Sequence, residues 1–315
     1  MSIVAPNREL TESEHLALAE FLARTAGLVF DKSRRPALAG IVVDRIAATG
    51  AADLGAYLAR ISSPSGAEER QRLLDEVTIP ETHFFRNPPQ MHALRHRLLP
   101  ELMRRAVARG RALTIWSDGC SSGEEPFTLA IQVHRVLGAR LADWNVEIVA
   151  TDISEKALEV ALAGRYTEYA IRSTPGAVKA RYFRPDGPSW SLDPAIRAMV
   201  TFETLNLKDR LGARRLGRFD VIFCRNVMIY FDDAMKAQVV GMFAEQLADD
   251  GTLFIGHSET LRGLDVPFEA FGPAQGFCYR KARTPAPRPG RAPAAPASAA
   301  FAPGALKLAG GGRPR

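Results

Sequence analysis

Polar side chains that could bind a ligand follow three predicted strands, each at the point where its strand ends. Asp152 closes the predicted strand 146–152, Asn206 follows the next strand, and Asn226 comes two residues after Phe219–Cys224. The carboxyl ends of parallel strands share one edge of a sheet, and ligands bind there. An acid at that edge accepts hydrogen bonds from ribose hydroxyls. An amide pairs with an adenine edge or holds a turn, and the turn is the commoner role for a single Asn.

A strand, a turn of small residues and a helix come before these positions and organise them. Residues 113–116 are apolar and partly β-branched, which is typical of a buried parallel strand. Residues 117–123 are small and polar, and their two glycines can adopt positive φ. Ser121 and Ser122 are the predicted N-caps of the next helix, and Pro126 suits its first turn.

The acidic pair Glu124-Glu125 at the start of that helix limits the class of ligand. Neither a phosphate-binding loop with its lysine nor the dinucleotide pattern G-x-G-x-x-G is present, and two acids would repel a pyrophosphate. A cationic ligand rich in hydroxyls suits them, and S-adenosylmethionine carries a sulfonium, an ammonium and ribose hydroxyls. The alternative is that the pair only complements the helix macrodipole.

The remaining reactive side chains indicate neither a hydrolase nor a metal site. The six histidines and three cysteines are scattered, without H-E-x-x-H, G-x-S-x-G or C-x-x-C. We therefore expect a reduced, cytoplasmic protein without bound metal. Methyl transfer to a carboxylate needs no general base, because a carboxyl with a pKa of ~4.3 is already ionised at neutral pH. Positioning can then supply up to ~7–11 kcal/mol of the catalysis.

Composition separates a neutral folded part from a basic tail. The chain has 315 residues and a net charge of +6, and the six basic residues of 282–315 account for all of that charge. This tail is rich in Pro, Ala and Gly and is predicted to be disordered. The sequence has no apolar run of the ~20 residues that a membrane span needs, and no signal peptide is predicted.

The order of the predicted elements indicates four segments before the tail. Residues 1–75 are predicted to be all helical, and residues 76–90 form a Pro-rich connector that should lie against the next domain because it contains Phe84 and Phe85. From residue 91 to 281 helices and strands alternate, which predicts an α/β domain with a parallel sheet. Within it, 164–199 departs from the alternation and is predicted to be a small antiparallel insertion.

Capping signals predict several helix ends. Thr11-Glu-Ser-Glu14 is a capping box before the first helix, and Ser154 caps the helix after the second strand. Asp232 or Asp233 begins a helix that we expect to run to Ala248 and to stop at Gly251.

Six motifs in order resemble the chemotaxis receptor glutamate methyltransferases, the CheR family. The most specific are Gly123-Glu-Glu-Pro-Phe127 and the run from Phe219 to Phe231, which contains Cys224-Arg-Asn-Val-Met-Ile-Tyr230. The others are Glu81-Thr-His-Phe-Phe-Arg86, Ala150-Thr-Asp-Ile153, Leu205-Asn-Leu207 and Gly256-His-Ser-Glu259. The resemblance implies a Rossmann-like methyltransferase domain with an inserted antiparallel β-subdomain, preceded by an all-α N-terminal domain.

The resemblance also implies an activity and its residues. It implies an S-adenosylmethionine-dependent enzyme that methylates glutamates on receptor cytoplasmic helices and releases S-adenosylhomocysteine. Arg86 and Tyr230 would lie beside the transferable methyl as catalytic residues. The implied cofactor-binding residues are Thr82, Arg86, Glu125, Asp152, Asn206, Leu207, Arg225 and Asn226. Two places depart from the family pattern: Pro80 stands where many relatives have Asn, and Asp118-Gly119 replaces a small apolar pair.

Two receptor-binding surfaces are predicted. In some members of the family the β-subdomain binds a receptor's C-terminal peptide by strand addition, which here would involve residues 164–199. Basic segments around Arg34–Arg45 and Arg95–Arg105 are candidate docking faces for an acidic helical bundle.

Three alternatives remain open from the sequence. A nucleic-acid methyltransferase is suggested by the basic tail, but its Asn/Asp-Pro-Pro-aromatic motif is missing at 226–230. The second is a regulator that binds the cofactor without transferring methyl, although Arg86 and Tyr230 are present. The third is an interaction scaffold built on the N-terminal helices and the tail.

Overall fold

The α/β part of the chain folds as a seven-stranded sheet with a separate three-stranded sheet beside it. The computed structural model describes residues 9–272 and 274–282, so the predicted tail lies outside the described residues except for residue 282. Within them the strands are β1 Ala112–Asp118, β2 Asn145–Asp152, β3 Arg165–Tyr166, β4 Phe183–Asp186, β5 Ser189–Leu192, β6 Val200–Thr204, β7 Phe219–Cys224, β8 Leu247–Ile255, β9 Phe268–Phe271 and β10 Cys278–Lys281.

The large sheet has the order β6-β2-β1-β7-β8-β10-β9. Its first five strands are parallel to their neighbours, and β10 and β9 close the edge in antiparallel pairing. Both faces are covered, which is why every residue of β7 is buried and why its sequence is almost entirely apolar. The chain order reverses between β1 and β7, so the ends of these two strands leave a crevice for a ligand.

Helices form the N-terminal part of the chain, and further helices flank the large sheet. Among the described residues they are α1 Glu12–Ala26, α2 Arg35–Thr49, α3 Leu54–Ser62, α4 Ala67–Val77, α5 Pro88–Ala93, α6 Leu99–Val107, α7 Glu124–Leu137, α8 Glu155–Ala163, α9 Gly176–Tyr182, α10 Pro194–Arg197, α11 Arg210–Arg215 and α12 Asp233–Gln246.

Local capping explains where several helices begin. The predicted capping box is confirmed, because the Glu14 amide donates to Thr11 Oγ1 at 3.2 Å and the Thr11 amide donates to Glu14 Oε2 at 2.9 Å. Ser154 caps α8 and Asp232 caps α12, as predicted. Pro100 lies in the first turn of α6, and the preceding segment Leu94–Leu98 is a π-helix, so the helix restarts at the proline.

Two predicted helix boundaries are wrong. Neither Ser121 nor Ser122 caps α7, because Gly123 occupies the N-cap position with φ 92°. A Cβ there would lie 2.8 Å from the Ala161 Cβ, so only glycine allows this close approach of the loop to α8. Gly251 does not end α12, since the helix stops at Gln246 and β8 runs through the glycine.

The connector, residues 76–90, lies against the α/β domain, as expected from its aromatic residues. Phe84 is fully buried, and its ring meets those of Tyr166 and Phe183 edge-on at 4.8 and 4.9 Å. The amide of Phe85 donates to Thr128 Oγ1 at 3.1 Å. Both aromatic residues are thus used to hold the connector between α7 and the inserted segment.

The inserted segment contains the predicted antiparallel hairpin. β4 and β5 pair around a tight turn, and β3 adds on the other side of β5 to give the order β3-β5-β4. β4 is therefore at an edge of this small sheet.

In the described residues, no helix combines the length and the hydropathy needed to cross a bilayer.

The helical segment has its own buried polar network, which changes the interpretation of one predicted docking residue. The Arg45 guanidinium donates to both oxygens of Glu69, at 2.8 and 2.5 Å, and the Tyr57 hydroxyl donates to Glu69 at 2.9 Å. Only 18% of the Arg45 side chain and 8% of the Glu69 side chain are exposed. Arg45 was predicted to dock a receptor, but its charge is committed to stabilising the fold.

Replacing Arg45 by alanine is expected to lower the free energy of unfolding by about 2 kcal/mol, because it leaves Glu69 buried with the Tyr57 hydroxyl as its one remaining partner among the described residues. Urea unfolding followed by circular dichroism measures this change. The control is Arg24→Ala, which removes an exposed pair at 3.6 Å and should cost less than about 0.5 kcal/mol. Equal losses in the two variants would contradict the assignment.

Candidate functional site

All of the site residues predicted from sequence line one cavity at the carboxyl edge of the sheet. The cavity has about 1170 Å³ of empty space, open solvent at its mouth included. The predicted residues on its wall are Thr82, Arg86, Glu125, Asp152, Asn206, Leu207, Arg225, Asn226 and Tyr230. The helical segment completes this wall with residues that include Leu28, Phe30 and Arg34.

Glu125 is held by a buried ion pair in the first turn of α7. Its Oε1 accepts from Ser117 Oγ at 2.8 Å and its Oε2 accepts from Arg225 Nη1 at 3.0 Å. Burial raises the pKa of the Glu125 carboxyl, although the Arg225 cation opposes that change. Arg225 also donates to the carbonyl of Arg86 at 3.0 Å, so one guanidinium joins α7, β7 and the connector.

Asp152, at the end of β2, is oriented by backbone amides on both sides. Oδ2 accepts from the Ser121 amide at 2.7 Å, and Oδ1 accepts from the Ser154 amide at 2.8 Å. Burial raises the pKa of the Asp152 carboxyl in spite of these donors. A carboxylate has about four acceptor sites. Asp152 can therefore accept further hydrogen bonds from ligand hydroxyls.

Asp118, the last residue of β1, is a third carboxyl on the cavity wall. Only 2% of the residue is exposed. Its Oδ1 accepts from Thr151 Oγ1 at 2.8 Å, and no partner for Oδ2 is present among the described residues. Burial raises the pKa of Asp118 to about 7, with the nearby Asp152 charge acting in the same direction. The next residue, Gly119, has φ 63°, and a Cβ there would come within 2.1 Å of Val227.

The Asn206 side chain holds a turn and a contact between segments. Its Nδ2 donates to the carbonyl of Thr25 at 2.7 Å and its Oδ1 accepts from the Lys208 amide at 3.0 Å. The sequence left two roles open for Asn206, pairing with an adenine edge or holding a turn, and its side chain holds a turn. The side chain of Leu207 is buried on the cavity wall next to it and offers an apolar surface.

Asn226 lies in the loop after β7, and one carboxylate shapes that loop. Asn226 has φ 62°, and its Oδ1 is buried without a partner among the described residues. Glu259 accepts the backbone amides of Asn226, Val227 and Met228 at 2.9, 3.1 and 2.9 Å. It also accepts the amide of Gly256 at 2.5 Å. The Gly256-His-Ser-Glu259 motif therefore supports the motif Cys224-Arg-Asn-Val-Met-Ile-Tyr230 through these hydrogen bonds.

Arg86 lies at the end of the connector with its guanidinium on the cavity wall. Its Nη1 donates to the carbonyl of Glu81 at 2.8 Å, and most of its five donors have no partner among the residues that the structure describes. Burial, and then repulsion from Arg225, lower the pKa of the Arg86 guanidinium. A partly desolvated cation with spare donors suits a carboxylate ligand.

Tyr230 is half-buried on the cavity wall and contacts the helical segment. Its carbonyl accepts from the Val29 amide at 2.8 Å. The guanidinium carbon of Arg34 lies 5.8 Å from the Tyr230 ring centroid and 5.4 Å from the Phe30 ring centroid. Arg34 is therefore a cavity residue as well as a candidate docking residue.

Two residues of the cavity wall, and a third residue that shapes the wall, were not assigned to the site from the sequence. Phe30 and Arg34 lie 46 and 42 residues before the start of the connector at residue 76, and no motif links them to the site. Glu259 was part of a recognised motif without an assigned role. The signal that could have found it is an acid following the fifth parallel strand, at the edge where the other polar residues gather.

The polar groups of the cavity fit S-adenosylmethionine. Asp118 and Asn226 lie on the cavity wall, and each has a buried side-chain oxygen without a hydrogen-bond partner among the described residues, as suits a site that receives hydrogen-bond donors from a ligand. Asp152 retains capacity for hydroxyls. The apolar side chains of Ile153 and Leu207 line the same cavity and suit the faces of a purine.

The strand order, the crevice beside β1 and the acid at the end of β2 define a Rossmann-like methyltransferase domain, here preceded by an all-α domain. Residues 80–276 match the family described as CheR methyltransferase, SAM binding domain, and residues 14–78 match its all-alpha domain. The chain belongs to the CheR methyltransferase family, which confirms the resemblance predicted from its motifs.

Three relatives illustrate the similarity. The chain is 35% identical over 264 residues to chemotaxis protein methyltransferase 1 of Pseudomonas aeruginosa, covering 82% of this chain and 94% of that protein. It is 33% identical over 261 residues to chemotaxis protein methyltransferase 2 of Vibrio cholerae, covering 82% and 89%. It is 34% identical over 242 residues to a probable chemotaxis protein methyltransferase of Rhizobium etli, covering 76% and 89%.

Proposed function

We propose that this protein transfers the methyl group of S-adenosylmethionine to glutamate side chains of chemoreceptors, forming methyl esters for sensory adaptation. The observation that carries the proposal is a single cavity that joins Arg86 and Tyr230 to the acidic residues Glu125 and Asp152. The relatives are named chemotaxis protein methyltransferases, which supports a role in chemotaxis. A cytoplasmic location follows from the proposed acceptor, the cytoplasmic helices of the receptor.

Each wall of the cavity has a separate role in this proposal. Asp152 accepts hydrogen bonds from the ribose, and Leu207 packs against the purine. Glu125 and Asn226 face the charged end of the cofactor, and Arg225 fixes Glu125. Thr82 and Asn206 also line the cavity, and Asn206 contacts the helical segment through the Thr25 carbonyl.

The reaction needs an oriented carboxylate more than it needs proton transfer. S-adenosylmethionine supplies an electrophilic methyl group when bound. Arg86 holds the acceptor carboxylate through charge-assisted hydrogen bonds, and Tyr230, on the same cavity wall, confines the acceptor. Because the acceptor is ionised at neutral pH, the chain's own residues need only bind, orient and exclude water.

The β-subdomain is the proposed second contact with the receptor. β4 is at an edge of the three-stranded sheet, and an extended peptide can add to such an edge through backbone hydrogen bonds. A receptor C-terminal peptide is the proposed ligand of this edge.

The proposal is tested with radiolabelled methyl donor and candidate receptor cytoplasmic fragments. We expect label on the receptor that alkali releases as volatile methanol, since methyl esters hydrolyse in base and methylated amines do not. Parallel incubations with total RNA and DNA test the nucleic-acid alternative. Base-stable label, or label transferred only to nucleic acid, would exclude glutamate esterification.

A further inference from the structure

We infer that Lys208 is a positioning residue for methyl transfer, because it ties the part of the helical segment that lines the cavity to the loop that contacts the cofactor. The first partner is the wall segment, residues 26–34. The second is the cofactor loop, residues 205–209, which follows β6 and places 205–207 on the cavity wall. The side chain of Lys208 lies outside the cavity, so it acts through these two partners. The inference rests on the proposed function.

Lys208 holds the C-terminal end of α1 from outside that helix. Its Nζ donates to the carbonyls of Ala23 at 3.1 Å and Arg24 at 2.7 Å. Asn206 Nδ2 donates to the next carbonyl, that of Thr25, at 2.7 Å. The last four carbonyls of a helix lack partners within it and carry the negative end of its dipole, so an ammonium stabilises them. Two side chains of the cofactor loop therefore hold three consecutive carbonyls of α1.

The wall segment begins at the last residue of α1 and is held a second time near its middle. Its residues on the cavity wall are Ala26, Leu28, Phe30 and Arg34. The Val29 amide donates to the carbonyl of Tyr230 at 2.8 Å. The wall segment thus runs along the cavity from the cofactor loop to Tyr230, the residue proposed to confine the acceptor. Lys208 fixes the start of this run, and a displacement there moves the surface that the acceptor meets.

The cofactor loop is itself a hydrogen-bonded turn. The Lys208 amide donates to Asn206 Oδ1 at 3.0 Å, and Asp209 accepts from the Gly212 amide at 2.9 Å to cap α11. Leu207, the residue proposed to pack against the purine, comes directly before Lys208. A ligand that fixes Leu207 therefore also fixes the backbone of Lys208. Order in the loop and order at the end of α1 favour each other, since such a coupling is reciprocal.

Removing the ammonium should weaken acceptor binding and leave cofactor binding in place. In Lys208→Met we expect the KM for the receptor fragment to rise about five- to tenfold, because the wall segment is correctly placed in only a fraction of the molecules. The affinity for S-adenosylhomocysteine should stay within about threefold, since the turn of the cofactor loop remains. Lys208→Arg should restore most of the acceptor affinity, because a guanidinium also donates to more than one carbonyl.

Lys156→Met is the matched control. The Lys156 ammonium also joins the α/β domain to the helical segment, through an exposed pair with Glu76 at 2.9 Å, but it does so outside the cofactor loop. Its removal should change neither the KM for the receptor fragment nor the affinity for S-adenosylhomocysteine. Melting curves verify that each variant is folded.

Hydrogen exchange followed by mass spectrometry tests the coupling without any acceptor. The probe is S-adenosylhomocysteine at about 100 times its Kd, and the reporter is the set of amides of residues 23–25, which lie outside the cavity. Opening of the α1 end breaks the Lys208 contacts, so bound ligand should slow exchange at the reporter about tenfold or more. In Lys208→Met the slowing should fall below about threefold, and in Lys156→Met it should match the unmodified chain.

The outcomes distinguish the inference from the function on which it rests. Unmodified protein that binds S-adenosylhomocysteine without slower exchange at the reporter would overturn the inference alone, and this measurement needs no variant to fold. Equal slowing in the unmodified chain and in Lys208→Met, or an unchanged receptor KM in that variant, would overturn it too. Folded protein that binds neither the methyl donor nor its product would overturn the proposed function and this inference together.

Discussion

Replacing Arg86 by alanine is expected to lower kcat for methyl transfer by about 10²–10³-fold, because removing one preoriented donor from a transition state has effects of that size. Within the described part of the chain the guanidinium makes one hydrogen bond, to the Glu81 carbonyl, so the loss of unfolding free energy should stay below about 1.5 kcal/mol. The hydrogen bond from Arg225 goes to the backbone of Arg86 and survives the substitution.

A lysine at position 86 is expected to restore little of the rate. Its ammonium is a point charge without the planar fork that holds a carboxylate in one orientation. Initial rates at saturating donor, with calorimetric affinity for S-adenosylhomocysteine measured beside them, separate loss of chemistry from loss of cofactor. Arg215→Ala, an exposed arginine outside the cavity, is the matched control and should keep full activity. A kcat within threefold of the unmodified value in Arg86→Ala would remove Arg86 from the mechanism.

Replacing Glu259 by alanine is expected to lower the free energy of unfolding by about 3–5 kcal/mol and to abolish cofactor binding. One carboxylate accepts four backbone amides, and each buried donor left without a partner costs about 1–3 kcal/mol, partly offset where water enters. The loop that carries Asn226 and Tyr230 would lose the group that holds its positive-φ turn. Against a typical total of about 5–15 kcal/mol, this is a large loss.

Urea unfolding and titration with S-adenosylhomocysteine measure the two effects. Glu259→Gln should be intermediate, since one oxygen remains as an acceptor while an amide group now faces backbone donors. The control is Glu245→Ala, which breaks exposed pairs with Arg210 and Arg214 at 2.6 and 2.9 Å and should cost less than about 1 kcal/mol. A Glu259→Ala protein that binds the ligand normally would contradict the role of this carboxylate in shaping the site.

Local sequence patterns were sufficient to predict a contact wherever a residue's partner lies nearby in sequence, and to predict proximity where residues share one edge of the sheet. The capping box at Thr11 and the caps at Ser154 and Asp232 involve residues within a single helical turn, and the structure has all three. The boundary at Gly251 failed because pairing with β7 extends β8 back to Leu247, and this pairing overrides the helix-stop signal of a glycine. The cap of α7 failed because close packing on α8 decides the backbone at Gly123.

The sequence by itself determined the strand-turn-helix unit at β1, the apolar character of β7 and the gathering of Asp152, Asn206 and Asn226 at one edge. These follow from period, chain direction and the common edge of parallel strands. Only the tertiary structure decided how each polar group is used. The amide of Asn206 binds the Thr25 carbonyl, and the charge of Arg45 is paired with Glu69. One oxygen of Asp118 is buried without a partner in residues 9–272 and 274–282. Sequence periodicity reports that a side chain is buried, whereas its hydrogen-bond partner comes from a distant element, which for Asn206 lies 181 residues away.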